Sequence, residues 1–222
     1  MPDVKDMLVV NDRNVRKWPL QLFFLMAPDA EIPDAWFGAS DRLPILPPSA
    51  LQLGYITTDG IGQEDSISSE GVQMLQKLEN VRNDLTGIEK TMTVAFGEDN
   101  AFVQALWHGV PFEEFPTESS GAWDFTDGEI SQYPEYRLGW IGQDGVGSQA
   151  RYRVEFAYRA TVTAKEARTA NRSDAETYGF TFGLLRDPIA NASFRRLQDG
   201  PFYADGTETP VDEGDEEGTG GA

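Results

Sequence analysis

The stretch from Gln149 to Leu185 reads Q-A-R-Y-R-V-E-F-A-Y-R-A-T-V-T-A-K-E-A-R-T-A-N-R-S-D-A-E-T-Y-G-F-T-F-G-L-L. Its first half alternates. Tyr152, Val154, Phe156, Tyr158, Ala160 and Val162 fall on one side, and Arg151, Arg153, Glu155, Arg159, Thr161 and Thr163 on the other. Period two over a dozen residues predicts a long β-strand with one buried face. A polar connector follows, Lys165 to Asp174. Alternation then resumes, with Tyr178, Phe180, Phe182 and Leu184 inward and Thr177, Gly179, Thr181 and Gly183 outward. Aromatic and β-branched residues suit a half-buried pleated surface. Two such strands imply a sheet whose polar face meets a second environment.

Working outward, Ile88 to Phe96 alternates in the same way, with Met92, Val94 and Phe96 inward and Thr91, Thr93 and Ala95 outward. A helix over about 98–108 follows. Asp99 or Asn100 can cap it, Phe102, Val103 and Leu106 form its apolar stripe, and Gly109 stops it. Pro111 to Ser120 reads as a loop. Trp123 to Ile130, Tyr136 to Ile141 and Ala192 to Leu197 read as further strands. Ser69 to Leu85 is ambiguous, because Val72, Leu75, Leu78, Val81 and Leu85 lie at helical spacing while Val72, Met74 and Leu78 also fit a strand. The string L-G-Y-I-T-T-D-G-I-G at Leu53–Gly62 returns as L-G-W-I-G-Q-D-G-V-G at Leu138–Gly147. It reads either as convergent strand-plus-turn chemistry or as two similar hairpins.

The first fifty residues show little periodicity. Val4 to Val10 is a possible short element and Leu20 to Met26 a strand. The prolines at 28, 33, 44, 47 and 48 block helix and central strand alike. We read residues 1–50 as an extended arm, residues 51–200 as the β-domain and 201–222 as an acidic, glycine-rich flexible tail. Trp18, Phe23, Trp36 and Phe37 are the arm's expected contacts with neighbouring surfaces.

The net charge is −19, of which the seven acidic residues from Asp205 onward account for seven units and the rest of the chain for −12. An acidic chain binds phosphate backbones poorly, because that affinity comes from Lys and Arg releasing counterions. It suits a surface that nucleic acid passes without sticking. No apolar run approaches the ~20 residues of a membrane helix, so no membrane insertion is expected. The absence of cysteine excludes disulfides and thiolate metal sites. His108 is the single histidine, so a His-dependent triad or a His cluster for metal lacks partners. Phosphate-binding glycine motifs are missing. Glu113 and Glu114, adjacent in a loop, read as a solvated charge run and not as a glycosidase pair. The expectation is a non-enzymatic chain with no cofactor and no metal.

Several segments together resemble a known family: Leu53–Ile61, S-I-S-S-E-G-V-Q at Ser66–Gln73, the strand–helix unit Ile88–His108, and above all Ala160–Phe182 with its R-S-D-A-E-T-Y run. They look like the major tail (tail tube) proteins of long-tailed siphophages, those of actinobacteria in particular, over about residues 20–200. The resemblance implies a mainly β fold, a β-sandwich or partial barrel with one flanking α-helix. It also implies assembly into hexameric rings stacked as a hollow tube for genome ejection, located in the virion after assembly in the host cytoplasm. The implied partners are other copies of the chain, a tape measure protein, tail terminator and tail tip proteins, and double-stranded DNA passing without specific binding. The resemblance favours a strand at Val72–Leu78. It gives the polar strand face (Arg151, Arg153, Glu155, Arg159, Thr161, Thr163, Thr177, Thr181, Glu89, Thr91 and Thr93) a place at the lumen or between subunits. The alternatives are another ring-forming virion protein (terminator, head–tail connector or decoration protein) or a carbohydrate-binding β-sandwich.

Overall fold

The structure, a computed structural model, describes residues 14–118, 123–126 and 133–200. The elements run in the order β1 (Leu20–Met26), β2 (Leu51–Gln52), β3 (Ile56–Met74), β4 (Lys77–Phe96), α1 (Ala101–Trp107), β5 (Glu135–Asp144), β6 (Arg151–Lys165), β7 (Tyr178–Leu185) and β8 (Phe194–Asp199). All described pairings are antiparallel, in the order β2-β1-β5-β6-β7-β4-β3, with β8 on β6. The chain is mainly β, with one α-helix among the described residues.

The sheet curls into a partial barrel. Phe23 on β1 lies edge-on to Phe96 on β4 at 5.4 Å and stacks on Phe182 of β7 at 5.8 Å, although two or three strands separate them along the sheet. The interior holds Phe23, Leu25, Met92, Val94, Phe96, Leu138, Trp140, Tyr178, Phe180 and Phe182, closed by Val103 and Leu106 of α1. Asn100 caps α1, accepting from the backbone N–H of Phe102 (3.1 Å) and Val103 (3.0 Å). The chain leaves the helix through Gly109 at φ 67°. Tyr136 donates its buried hydroxyl to the Val110 carbonyl at 2.7 Å, which ties the end of the helical segment to β5.

A second apolar cluster lies on the outer side of β1, β5 and β6. Phe24, Met26, Val154 and Phe156 are covered there by Trp36, with Ile32, Phe37 and Leu46 packed against them. The described part of the first fifty residues therefore belongs to the domain. β1 is an interior strand, and residues 27–50 fold back over it. The prolines do keep this segment irregular, but its apolar side chains are buried in its own chain. This corrects the expected arm contacts. Phe23 and Trp36 are 1% and 2% exposed, Phe37 joins the outer cluster, and Trp18 packs edge-on against Trp140 at 6.4 Å.

Ser69–Leu85 is extended and not helical, against the helical spacing, but the single strand expected over Val72–Leu78 is broken by a turn between Met74 and Lys77, so that the segment is a β-hairpin. The two similar decapeptides do not form two similar hairpins. Asp59-Gly60 (Gly60 φ 72°) lies in an irregularity inside β3, where Ile56 pairs Phe96 and Ile61 pairs Val94. Asp144-Gly145 (Gly145 φ 81°) ends β5 and starts the turn to β6. Glycine supplies the positive φ in both, and tertiary context decides whether it makes a bulge or a turn. Residues 123–126 are not in a strand. Val4–Val10, residues 127–130 and the acidic tail 201–222 lie outside the described residues.

Candidate functional site

The polar side of β6 is not one face. Tyr136 of β5 pairs Ala160, but Leu138 pairs Ala157, so Tyr158 and Arg159 form a bulge. A bulge adds one residue and flips every later side chain to the other face. Before it, Arg153 and Glu155 point to the barrel interior, and Val154 and Phe156 point outward under the Trp36 cover. After it, Ala160 and Val162 point inward, and Arg159 and Thr161 outward. The expected single row of polar residues is therefore split between opposite faces.

The inward part is an interior ion-pair group. Glu155, 2% exposed, accepts from the Trp140 indole N–H at 3.0 Å and pairs with Arg196 of β8 at 2.6 Å. Arg153 lies 3.9 Å from Glu155 and stacks over Trp18 at 4.3 Å. Burial lowers the pKa of Arg153, with Arg196 adding to the effect, yet a guanidinium stays charged. Burial likewise lowers that of Arg151, which is 7% exposed beside β8. Arg151, Arg153 and Glu155 thus hold β8 against β6. Arg159 pairs instead with Glu135, at 2.7 Å and 2.9 Å in two hydrogen bonds. That contact holds the Glu135 carboxyl below its ordinary range.

The outward residues do converge. Thr161 pairs Gly183, which pairs Thr91, which pairs Glu64. In the next row Thr181 pairs Thr93, and Thr93 pairs Gly62. The Thr163 hydroxyl donates to the Thr181 carbonyl at 3.1 Å. Glu89 continues the face opposite Ser66. The result is a hydroxyl- and carboxylate-bearing stripe across β6, β7, β4 and β3. Its described cations, Arg159 and Arg82, are each ion-paired, with Glu135 and Asp84. Thr177 lies just before β7 and is exposed.

The feature that residue patterns did not single out is the far end of β3–β4. β7 covers β4 only from Thr91 to Phe96. Beyond Glu64 the hairpin runs on with no third strand, through Met74 and back from Lys77. Ten residues at about 3.3 Å each project roughly 30 Å. A two-stranded ribbon alone is marginal in water. The interior face of the barrel continues onto it without a cover. After Phe96, Val94 and Met92 the same side carries Lys90, ion-paired with Asp65 at 3.1 Å, then Ile88, paired with Ile67, and then Leu85 opposite Ser69. Ile67, Leu85 and Ile88 are 67%, 61% and 52% exposed. Both edges of the ribbon are unpaired over this length among the described residues. The signal was present in the sequence, since Ile88 lies in phase with Met92–Phe96, with Lys90 between them.

No group of three or more His, Cys, Asp or Glu side chains able to hold a metal occurs among the described residues. No described helix is long and apolar enough to cross a membrane.

No family model matches the chain, and no curated protein matches it. Among solved structures, a hybrid solid-state NMR and cryo EM structure of the SPP1 tail tube overlaps with 82% of this chain and 78% of that chain, at 10% identity and a TM-score of 0.37. At that score the overlap is too loose to carry an argument.

Proposed function

We propose that the chain is a structural virion protein, the subunit of a phage tail tube, and that it acts by self-assembly and not by catalysis. The observation that carries this reading is the projecting β3–β4 ribbon. Beyond the Asp65–Lys90 ion pair its core-facing side exposes Ile67, Ile88 and Leu85, its edges are free, and no described part of the chain covers it. An exposed strand edge with apolar residues is a template for another chain, and a heterologous contact of this kind builds rings and stacks. The sequence resemblance supplies the sixfold ring, the siphophage setting and the partners: tape measure, terminator and tip proteins.

In the assembled tube the Thr161–Thr181–Thr93–Thr91 stripe, with Thr163, Glu64 and Glu89, lines the lumen. Hydroxyls and carboxylates there, with both cations neutralised by their own carboxylates, offer DNA no counterion-releasing contact. The genome passes without specific binding during ejection. Arg151, Arg153 and Glu155 take no part in the lumen on this reading, because they secure β8 inside the subunit. A sugar-binding role is disfavoured by four of the five tryptophans, Trp123 being 41% exposed beside Phe125. Trp36 and Trp140 are buried, Trp18 packs on Trp140, and Trp107 packs edge-on against Tyr178 and Phe180.

Negative-stain electron microscopy of the concentrated protein, with sedimentation to count subunits, tests the proposal. Stacked rings or tubes are the expected result. Single closed rings would transfer the protein to the terminator or connector class. A monomer at every concentration would overturn self-assembly as its activity.

A further inference from the structure

The barrel has an open seam between β1 and β3. On this edge β1 is paired only at Phe24 and Leu25, to β2, and residues 57–60 of β3 bulge out of register with β4. Between them lies a cleft of about 490 Å³ lined by Trp18, Leu20, Gln21, Tyr55, Ile56, Thr57 and Thr58, among others. Its rim is apolar and bare, with Leu20 61% and Tyr55 80% exposed. Its wall carries two buried acceptors with no hydrogen-bond partner, Gln21 Oε1 and Thr57 Oγ1. An apolar rim over unsatisfied oxygens fits an extended peptide, whose backbone N–H groups donate and whose side chains pack.

We infer that this cleft receives the Met7–Val10 segment of a second copy of the chain. This inference rests on the self-assembly reading above. Residues 1–13 are the stretch that precedes the described chain, and Met7-Leu8-Val9-Val10 is their one apolar run. It favours an extended conformation. The C-terminal stretch 201–222 is an unsuitable occupant, being acidic and glycine-rich. The direction of the chain selects a second copy. β1 runs antiparallel to β5 with Leu20 opposite Gln143, and Arg16 pairs with Asp144 at 3.5 Å. Going back from Leu20, the described chain therefore runs past the end of β5. Thirteen residues span up to about 43 Å when extended, enough to reach a neighbouring subunit. The charge pattern of the segment agrees, since Val4–Val10 carries Lys5 and Asp6 at its start and no charge at 7–10.

Because the chain has no native cysteine, disulfide trapping reads the contact directly. Thr58→Cys on the exposed rim would be combined with Leu8→Cys in one variant and Val9→Cys in another, since successive strand residues face opposite sides. Single-cysteine variants serve as controls. The assembled fraction is oxidised and run on a non-reducing gel. A covalent ladder of dimers and higher multimers from one of the double variants, absent from the controls, is the expected result. A crosslinked monomer of altered mobility would place the segment in its own cleft and overturn the inference. Oxidation without any crosslink of either kind would overturn it as well. Microscopy of the same samples separates the two proposals, because tubes without the ladder defeat this contact and leave the tube reading standing. Removing residues 1–13 from the full chain should leave the melting temperature unchanged and shift assembly to higher protein concentration; unaltered assembly would count against the contact.

Discussion

Replacing Ile67 and Ile88 together by serine separates folding from assembly. The two side chains face each other on the uncovered side of the ribbon and are 67% and 52% exposed. Fully burying an isoleucine is worth about 1.5–3 kcal/mol. Covering the exposed fraction is then worth about 1–2 kcal/mol for Ile67 and somewhat less for Ile88, or about 2–3.5 kcal/mol per copy. Buried area does not convert directly to affinity, because association costs rigid-body and side-chain freedom. That cost is common to parent and variant and cancels in the comparison. At about 1.4 kcal/mol per tenfold, the double variant should need roughly 30- to 300-fold more protein to assemble. The isolated subunit loses only one cross-strand pair, about 0.2–1 kcal/mol. Sedimentation velocity over a dilution series measures the first quantity and thermal unfolding followed by circular dichroism the second. A variant that assembles at the parent's concentration would refute the assignment of the ribbon face as an interface. A variant that melts many degrees lower would show the ribbon to be part of the core.

Further outcomes follow from the single subunit. Trp36→Ala strips the cover from Phe24 and Phe156, which its ring meets at 6.2 and 5.1 Å; a loss of about 3–5 kcal/mol should appear as a lower urea midpoint. Tyr136→Phe leaves the Val110 carbonyl without its buried donor and should cost about 1–2 kcal/mol by the same measurement. Glu135 has a folded pKa below its ordinary 4.5, first through the hydrogen bond from Arg159. A depressed carboxyl pKa contributes stability that is present above the unfolded value and lost as pH falls through the folded one. Parent stability should therefore fall more steeply below about pH 4.5 than that of Glu135→Gln, as urea midpoints across the acid range would show; parallel slopes would exclude this pair as a source of acid sensitivity.

The alternation of Tyr178–Leu184 and Met92–Phe96 was sufficient to place two neighbouring strands and their inward faces, because each is covered on one side only and runs without a bulge where β4 meets β7. The helix was legible for a similar reason, since Asn100 and Gly109 act locally. β6 was legible as a strand but not as a surface. Its pattern Arg-Tyr-Arg-Val-Glu-Phe-Ala-Tyr-Arg-Ala-Thr-Val is periodic by residue type, yet the bulge at Tyr158–Arg159 reverses which type points inward. Nothing local demands that bulge. It is set by how β5 and β7 register on opposite edges of the strand. In the first fifty residues the strand Leu20–Met26 was legible and forms β1, but its place inside the sheet was not. Leu22–Met26 is a continuous apolar run, which signals burial on both faces, although prolines crowd the residues that follow it. Phe23 and Leu25 go to the interior, Phe24 and Met26 to the outer cluster.

The bulge also explains how one strand serves two purposes. In its first half β6 must anchor β8, a short edge strand, and Arg153 and Glu155 do so from the interior side, where Trp18 and Trp140 shield them from water. A buried carboxylate is tolerable only when paired and hydrogen-bonded, and Glu155 has both Arg196 and the Trp140 indole. Had the register continued unbroken, Arg159 and Thr161 would face the same interior, next to Tyr136 and Phe182, with no carboxylate to receive the guanidinium. Shifting the phase by one residue sends Ala160 and Val162 inward and releases Arg159 to Glu135 and Thr161 to the outer stripe. The polar stripe that we assign to the lumen therefore begins where the bulge ends. Deleting Tyr158 removes the extra residue, so that β6 runs straight with Ala157, Ala160 and Val162 still inward and Arg159 and Thr161 still outward. The deletion chain is expected to keep the outer cluster covered and to bind no hydrophobic dye in its native buffer; dye binding would mean that the phase of β6 is not set by the single extra residue at Tyr158–Arg159.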